Sequence, residues 1–332
     1  MRKRDENMKK KLLVTGFIPE YLIAPFRDRF DITMPDEKKD RFTVEEVTDL
    51  IEGQDALFTL YAFPFKGELI DKAASSVKVV CNGGVGYDNI DVKCCTEHGI
   101  YVVNTPTSVA QPTAEMTFAI MLAITKGIIN YDRDARNNLN TRQPFFFDRD
   151  ILVYGKTLGI LGFRRIGQAL AEKAQGAGMR VIYYDPIRKS EEDEKERNVT
   201  YASFDEVVEN ADILSCHMPY TPENHHILNK DVFRKMKKTA YFINAARGPI
   251  VNQEDLIDDL KNHIIRGAGL DVYEFEPNIP KELAELDNVV LTPHVGSNVI
   301  ECRREMLEEA VGGTYLLLGG TRIPNIVNKE LS

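Results

Sequence analysis

The chain has 332 residues, 43% of them hydrophobic, and carries 51 acidic against 42 basic side chains for a formal charge of −9. That length suits two domains with sizeable cores, and the acidic balance argues against nucleic acid or an anionic membrane as the main partner. No apolar run approaches the roughly 18 residues that cross a bilayer, and five cysteines without a Cys-x-x-Cys pair fit a reducing compartment, so a cytoplasmic protein is expected.

The N-terminus is basic at Arg2, Lys3, Arg4, Lys9, Lys10 and Lys11, but Asp5 and Glu6 interrupt the run and no apolar signal-peptide core follows. Met1 and Met8 remain alternative starts. Lys11–Thr15, Ala56–Leu60, Val77–Cys81 and Ile100–Asn104 read as short buried strands, with helical patterns at 44–52 and 66–74 between them. Such alternation predicts a parallel sheet with helices on its faces. The glycine-rich loop Asn82–Asp88 follows a strand, where main-chain N–H groups can approach a ligand closely. Cys94, Cys95 and His98 supply too few ligands in one place for zinc; buried thiols, and no metal, are expected.

Residues 113–124 are apolar over most of a helix circumference, which requires cover on several sides, between domains or between subunits. The following 130–150 is polar and then aromatic at Phe145, Phe146 and Phe147, read as core cover or a subunit contact.

The centre of the chain is 155–171. Leu158, Ile160 and Leu161 form a strand that stops at Gly162, after which Ile166, Ala169, Leu170 and Ala174 fall at helical spacing. A strand feeding a helix through glycine cradles phosphate, because free backbone N–H groups and the helix dipole both face an anion. The dinucleotide fingerprint is Gly-x-Gly-x-x-Gly; here Gly162 and Gly167 are its ends and Arg164 takes the middle position. A second strand ends in Asp185, about 20 residues on, where an acid holds the adenosine ribose hydroxyls. Beyond it the charge run 188–197 reads as a solvated helix face or loop. Further strands are predicted at Ile213–His217, Ala240–Asn244, Gly267–Asp271 and Val289–Leu291, and a helix from about Val299 to Leu317.

Three segments put polar residues at strand ends, where open α/β sheets build their sites: Asn244–Gly248, Asp271–Pro277 and Pro293–Ser297. Hydride transfer to a 2-oxo acid needs a cation that grips the carboxylate, for which a guanidinium is suited. It also needs a proton donor near pH 7, which a histidine beside a carboxylate supplies. Arg247, Glu276 and His294 are the candidates.

In these motifs, together with Gly84–Asp91, Asn104–Pro106 and Ala114–Glu115, the sequence resembles the D-isomer-specific 2-hydroxyacid dehydrogenases over about 11–327. The spacing of Arg247, Glu276 and His294 resembles that of the glyoxylate and hydroxypyruvate reductase branch. The resemblance implies two Rossmann-like doubly wound parallel-sheet α/β domains, with an NAD-binding domain, 111–292, inserted into a discontinuous substrate domain, 1–110 with 293–332, and a homodimer formed through the cofactor domain. It makes Arg247, Glu276 and His294 the catalytic triad. Val85 and Gly86 would offer N–H groups to the substrate carboxylate. The cofactor is expected to be NAD, and Thr113, Gly162, Arg164, Arg165, Ile166, Gly167, Asp185, His217, Pro219, Ala245, Ala246, Asp271 and Gly296 fall at positions that contact it.

Two departures stand out. Arg164 replaces the pyrophosphate-turn glycine, and the segment Leu60–Phe65 is aromatic where a phosphoglycerate enzyme carries a cation. The segment Leu60–Phe65, with Leu60 and Tyr61 as its candidate site residues, is therefore expected to contact the substrate side chain and to favour an uncharged one, because an apolar wall leaves a buried phosphate uncompensated. Arg188 and Arg164 are the cations that could favour NADP. The competing reading is a non-catalytic NAD-binding module of the corepressor kind.

Overall fold

The computed structural model describes residues 9–137 and 150–331; Phe145, Phe146 and Phe147 and the alternative starts lie outside the described residues. The chain divides into two units, Met1–Val109 with Asn298–Ser332, and Ala110–Ser297.

In the first unit, β1 (Lys10–Val14), β2 (Phe30–Thr33), β3 (Ala56–Thr59), β4 (Val79–Asn82) and β5 (Tyr101–Val103) form a parallel sheet ordered β2-β1-β3-β4-β5. The period of two divides each strand between two cores. Leu12, Val14 and Phe58 pack with Leu307, Ala310 and Val311 from the chain's end, while Leu13, Leu57 and Val80 pack with Phe63, Phe65 and Ile70. β2 went unread in the sequence because it is a sheet edge with Phe30 as its one buried residue. Asp91 caps a further unread helix, Val92–Glu97, by accepting the Cys94 N–H at 2.9 Å.

The C-terminal segment returns to this sheet. Val327 N–H donates to the Val102 carbonyl, and buried Asn328 accepts the Val102 N–H at 2.8 Å while donating to Ile100. The C-terminal helix expected over 299–317 is Ile300–Leu307 and Gly313–Leu318 joined by a π turn, Glu308–Gly312. On that turn the Glu309 carboxylate accepts the N–H groups of Thr107 and Ser108 and the Ser108 hydroxyl.

The second unit holds β6 (Thr157–Leu161), β7 (Arg180–Tyr184), β8 (Thr200–Tyr201), β9 (Ile213–Cys216), β10 (Tyr241–Asn244), β11 (Gly267–Leu270) and β12 (Val289–Leu291). Their order is β12-β11-β10-β9-β6-β7-β8, all parallel. β6, β9, β10 and β11 are buried along their whole length, which explains their unbroken apolar runs. The winding reverses between β6 and β9, and ligands of doubly wound sheets bind at such a switch point, beyond the carboxyl ends of the strands.

Helix Ala110–Thr125 packs on helix Arg165–Gly176 and on β10, β11 and β12, with Gln111, Glu115 and Ala119 exposed on the described chain. Two expectations change. The charge run is not wholly solvated: Glu194, on helix Glu191–Glu196, turns inward to accept the Tyr183 hydroxyl at 2.8 Å and both arms of Arg188 at 2.8 and 2.9 Å. Finally, the second border falls after Ser297 rather than before 293, since Asp271 holds Thr292, Val295 and Gly296 to the end of β11.

All five cysteines are free. Burial pushes the thiols of Cys81, Cys95 and Cys216 up to about 12, so they pack as small apolar groups.

Candidate active site

At the switch point Gly162 adopts φ +93°, and a Cβ there would lie 2.6 Å from the His217 carbonyl carbon. Only glycine allows β6 to turn at this distance from the segment after β9. Gly167 follows in the first turn of the helix, with Ile166 half-buried and Arg164 and Arg165 exposed. Arg164 has ordinary extended backbone (φ −96°), so the turn forms without the middle glycine and presents a guanidinium beside the helix N-terminus.

Asp185, at the end of β7, is 5% exposed. One carboxylate oxygen accepts the Phe163 N–H at 2.9 Å and the other the Ile187 N–H at 3.0 Å, which pins the acid next to the glycine turn. Two arms of the Arg188 guanidinium are held by Glu194, and the group lies 5.1 Å from the Tyr201 ring centre. The His217 ring touches the Ser215 hydroxyl at 2.9 Å through Nε2, whereas its Nδ1 is buried without a partner. Burial pushes this imidazole down to about 4, so it is neutral at pH 7. Pro219 lies two residues on, exposed, its carbonyl accepting the Asn224 side-chain amide at 2.7 Å. A glycine cradle, a pinned acid and an orphaned ring nitrogen fit a dinucleotide: residues 162–167 for its pyrophosphate, Asp185 for a ribose and His217 at the adenosine side.

The second cluster lies beyond β10, β11 and β12. Buried Asn244 ends β10 and wraps the next loop, accepting the Ala246 N–H at 3.0 Å and donating to the Arg247 carbonyl at 3.1 Å. Ala245 is buried, Ala246 and Arg247 half-buried, and the Arg247 guanidinium donates to the Ala246 carbonyl at 2.8 Å. The His294 Nδ1 lies 2.8 Å from one oxygen of Glu276, whose other oxygen accepts the Tyr273 N–H at 3.0 Å. Burial pushes the Glu276 carboxyl up, but the hydrogen bond and charge of His294, the Tyr273 N–H and the charge of Arg247 outweigh it and hold the group below the usual carboxylate range. The dyad and the guanidinium thus share one field. With Nδ1 taken by Glu276, the ring offers Nε2 as its reactive nitrogen.

His294 sits at φ +53°, a left-handed conformation uncommon outside glycine. Asp271 holds it there: its carbonyl accepts the His294 N–H at 2.8 Å, one carboxylate oxygen accepts the Thr292 hydroxyl at 2.6 Å and the Val295 N–H at 2.9 Å, and the other accepts the Gly296 N–H at 2.8 Å. With three donors on a 1% exposed carboxylate, Asp271 braces this segment from within. Gly296 packs between Asp271 and buried Thr113.

In the first unit the sequence-predicted pair Val85 and Gly86 is held by its carbonyls. Asn104 donates to Val85 at 2.8 Å and Asn82 to Gly86 at 2.6 Å. Among the described residues the N–H groups of Val85 and Gly86 donate to nothing, as a carboxylate-binding loop requires. The aromatic segment is only partly as expected. Phe63 and Phe65 are buried in the core, leaving Leu60 half-buried and Tyr61 56% exposed. Tyr61 is not a purely apolar wall either: Arg41 lies over its ring at 4.3 Å and is itself paired with Asp40 at 2.9 Å. Asp71 comes 3.3 Å from His98 Nε2 while Cys94 faces Nδ1, so the two contacts use opposite ring nitrogens. Sequence reasoning missed the braces Asn82, Asn104 and Asn244; a polar residue closing a buried strand was their available signal.

Residues 118–296 match the family model described as D-isomer specific 2-hydroxyacid dehydrogenase, NAD binding domain. Over 333 residues the chain is 39% identical to a glyoxylate reductase of Korarchaeum cryptofilum, covering 98% of this chain and 97% of that one. Among solved structures it is similar to the TT0316 protein of Thermus thermophilus, with TM-score 0.87, 33% identity and 96% and 99% of the two chains covered. A glyoxylate reductase from Paecilomyes thermophila superposes with TM-score 0.85 at 26% identity, covering 97% and 99%.

The geometry makes a pH prediction. Against burial, the Glu276 carboxyl is held below the usual range by its contact with His294, so it is charged through the neutral range, and Glu276→Gln, which removes that charge beside the ring, is expected to change the pH dependence of reduction. Steady-state reduction rates from pH 5 to 9 measure this, and superimposable profiles for wild type and Glu276→Gln would contradict the dyad.

Proposed function

Because the chain belongs to the D-isomer-specific 2-hydroxyacid dehydrogenase family, we propose that it reduces a small 2-oxo acid of the glyoxylate type, with Arg247, Glu276 and His294 as its catalytic residues. It is an NAD-dependent dehydrogenase acting on small 2-oxo and 2-hydroxy acids. The observation that carries the residue assignment is the contact of His294 with Glu276 at 2.8 Å, in the field of Arg247. The relatives named as glyoxylate reductases lend no support to a non-catalytic module.

NADH, when bound, supplies the hydride. Arg247 grips the substrate carboxylate and draws charge from the adjacent carbonyl. Val85 and Gly86, with Leu60 and Tyr61, are the proposed substrate-binding residues of the first unit. His294 gives the proton on Nε2 to the carbonyl oxygen as C2 is reduced, and takes it back in oxidation. Glu276 holds the ring by Nδ1 and stabilises its charged form. The proposed cofactor contacts are Thr113, Gly162, Arg164, Arg165, Ile166, Gly167, Asp185, His217, Pro219, Ala245, Ala246, Asp271 and Gly296.

We further propose a cytoplasmic homodimer. Free thiols support the compartment. Ile128, Ile129, Leu152 and Tyr154, all on the cofactor unit and each about half or more exposed, support an apolar contact between copies. Among the described residues no single helix is long and apolar enough to cross a membrane.

The test is turnover of NADH with a panel of 2-oxo acids. Glyoxylate and hydroxypyruvate are expected to exceed 3-phosphohydroxypyruvate at least about tenfold in kcat/KM, since the cation at this segment, Arg41, is already paired with Asp40 and leaves a phosphate poorly compensated. Equal efficiency overturns the substrate reading, and absence of turnover with every 2-oxo acid overturns the proposal. The cofactor choice has its own check. Asp185 repels a 2′-phosphate by about 4 kcal/mol at a few ångströms and an effective dielectric near 20, so wild type prefers NADH and Asp185→Ala loses most of that preference. An NADPH preference in wild type, or an undiminished NADH preference in the variant, sinks the assignment.

A further inference from the structure

The loop carrying Arg247 and the loop carrying Glu276 touch main chain to main chain. Gly248 follows Arg247, and a Cβ on it would lie 1.9 Å from the Tyr273 carbonyl carbon and 2.4 Å from the Glu274 nitrogen. Such an approach has no side chain of its own to lock it. The lock lies one step outward, in groups that the proposed chemistry does not use.

Glu274, two residues before Glu276, has a side chain only 9% exposed, and both of its oxygens are engaged. One is 2.6 Å from His226 Nε2 and the other accepts the Gln253 N–H at 3.1 Å, while the Gln253 side chain accepts the Glu274 N–H at 3.3 Å. His226 reaches back to the other loop: its N–H donates to the carbonyl of Pro249, two residues after Arg247, at 3.0 Å. The next residues continue the join, with Leu228 bridged to Val251. His226 itself is held at φ +55°, its carbonyl accepting the Asn229 amide at 3.1 Å and its ring stacked on His225 at 3.8 Å between centroids. A non-glycine residue in this conformation is worth noting because the surroundings must impose it. Here they impose it where a single residue touches both loops.

We infer that His226 and Glu274 are positioning residues, whose contact clamps the loop bearing Arg247 to the loop bearing Glu276 and so fixes the substrate carboxylate relative to the proton donor. The inference rests on the proposed roles of Arg247, Glu276 and His294. Neither clamp residue is proposed to touch substrate. Their effect is geometric, and a misplacement of about 1 Å can cost up to about a hundredfold in rate.

The test compares His226→Leu, which removes the ring donor, with His226→Gln, whose amide nitrogen reaches the place of Nε2, and with Glu274→Ala. Glyoxylate kcat and KM are measured with NADH, and the NADH Kd by fluorescence titration. The clamp predicts that kcat falls about 10- to 100-fold in His226→Leu and Glu274→Ala, that His226→Gln stays within about threefold of wild type, and that the NADH Kd is unchanged throughout. A kcat unchanged in His226→Leu overturns the inference, as does His226→Gln as impaired as His226→Leu, or a loss that tracks weakened NADH binding. Wild type without turnover overturns the reading of the site itself, a result distinct from these.

Discussion

The second unit depends on one buried charge. Taking the Asp271 carboxylate out of water costs several kcal/mol, and three donors from 292–296 compensate it, each bond to a charged acceptor contributing roughly 1.5–3 kcal/mol. Those donors come from a segment that would otherwise leave β12 as a free loop. Bound to Asp271, the segment turns through His294 in a left-handed conformation and brings Nδ1 to Glu276. The same carboxylate therefore ties the ends of β11 and β12 together and sets the direction of the ring.

The rest of the site follows from how a doubly wound parallel sheet distributes polarity. Strands buried on both faces can carry almost no polar side chains, so the polar residues collect where the strands end. Asn244, Asp271 and Asp185 each stand at a strand's end, buried, with their oxygens taken by backbone N–H groups of the loop that follows or lies beside them. Arg247, Glu276 and His294 stand farther out and are more exposed. The buried groups fix loops, and a carboxylate pinned by one donor on each oxygen, as in Asp185, still has lone pairs for a ribose hydroxyl.

Most of the architecture was legible because parallel strands write themselves as apolar runs and the glycine turn marks the switch from strand to helix. β2 and β8 escaped, since an edge strand needs few apolar residues and β8 has only two residues, Thr200 and Tyr201. The acid, the base and the cation could be picked by residue type, whereas their supports could not. The bracing role of Asp271 could not be read, because a carboxylate at a strand end is as suited to a ligand as to a backbone N–H, and only the folded loop shows the three donors. Phe63 and Phe65 looked like substrate contacts for the complementary reason: an aromatic run after a strand does not show which rings turn inward. Glu194 in its charged run and the pairing of His226 with Glu274, 48 residues apart in sequence, are tertiary facts with no local signature.

The brace at Asp271 is also where the account is most exposed. Asp271→Asn keeps the shape but replaces one acceptor by a donor, which then faces an N–H group of the 292–296 segment. The most direct measurement is the single-turnover rate of reduction in folded Asp271→Asn beside its NADH affinity. The account predicts a rate at saturating NADH lower by a factor of about ten to a hundred, as expected for a displaced proton donor; an unchanged rate, or a loss that saturating NADH restores in full, would contradict it.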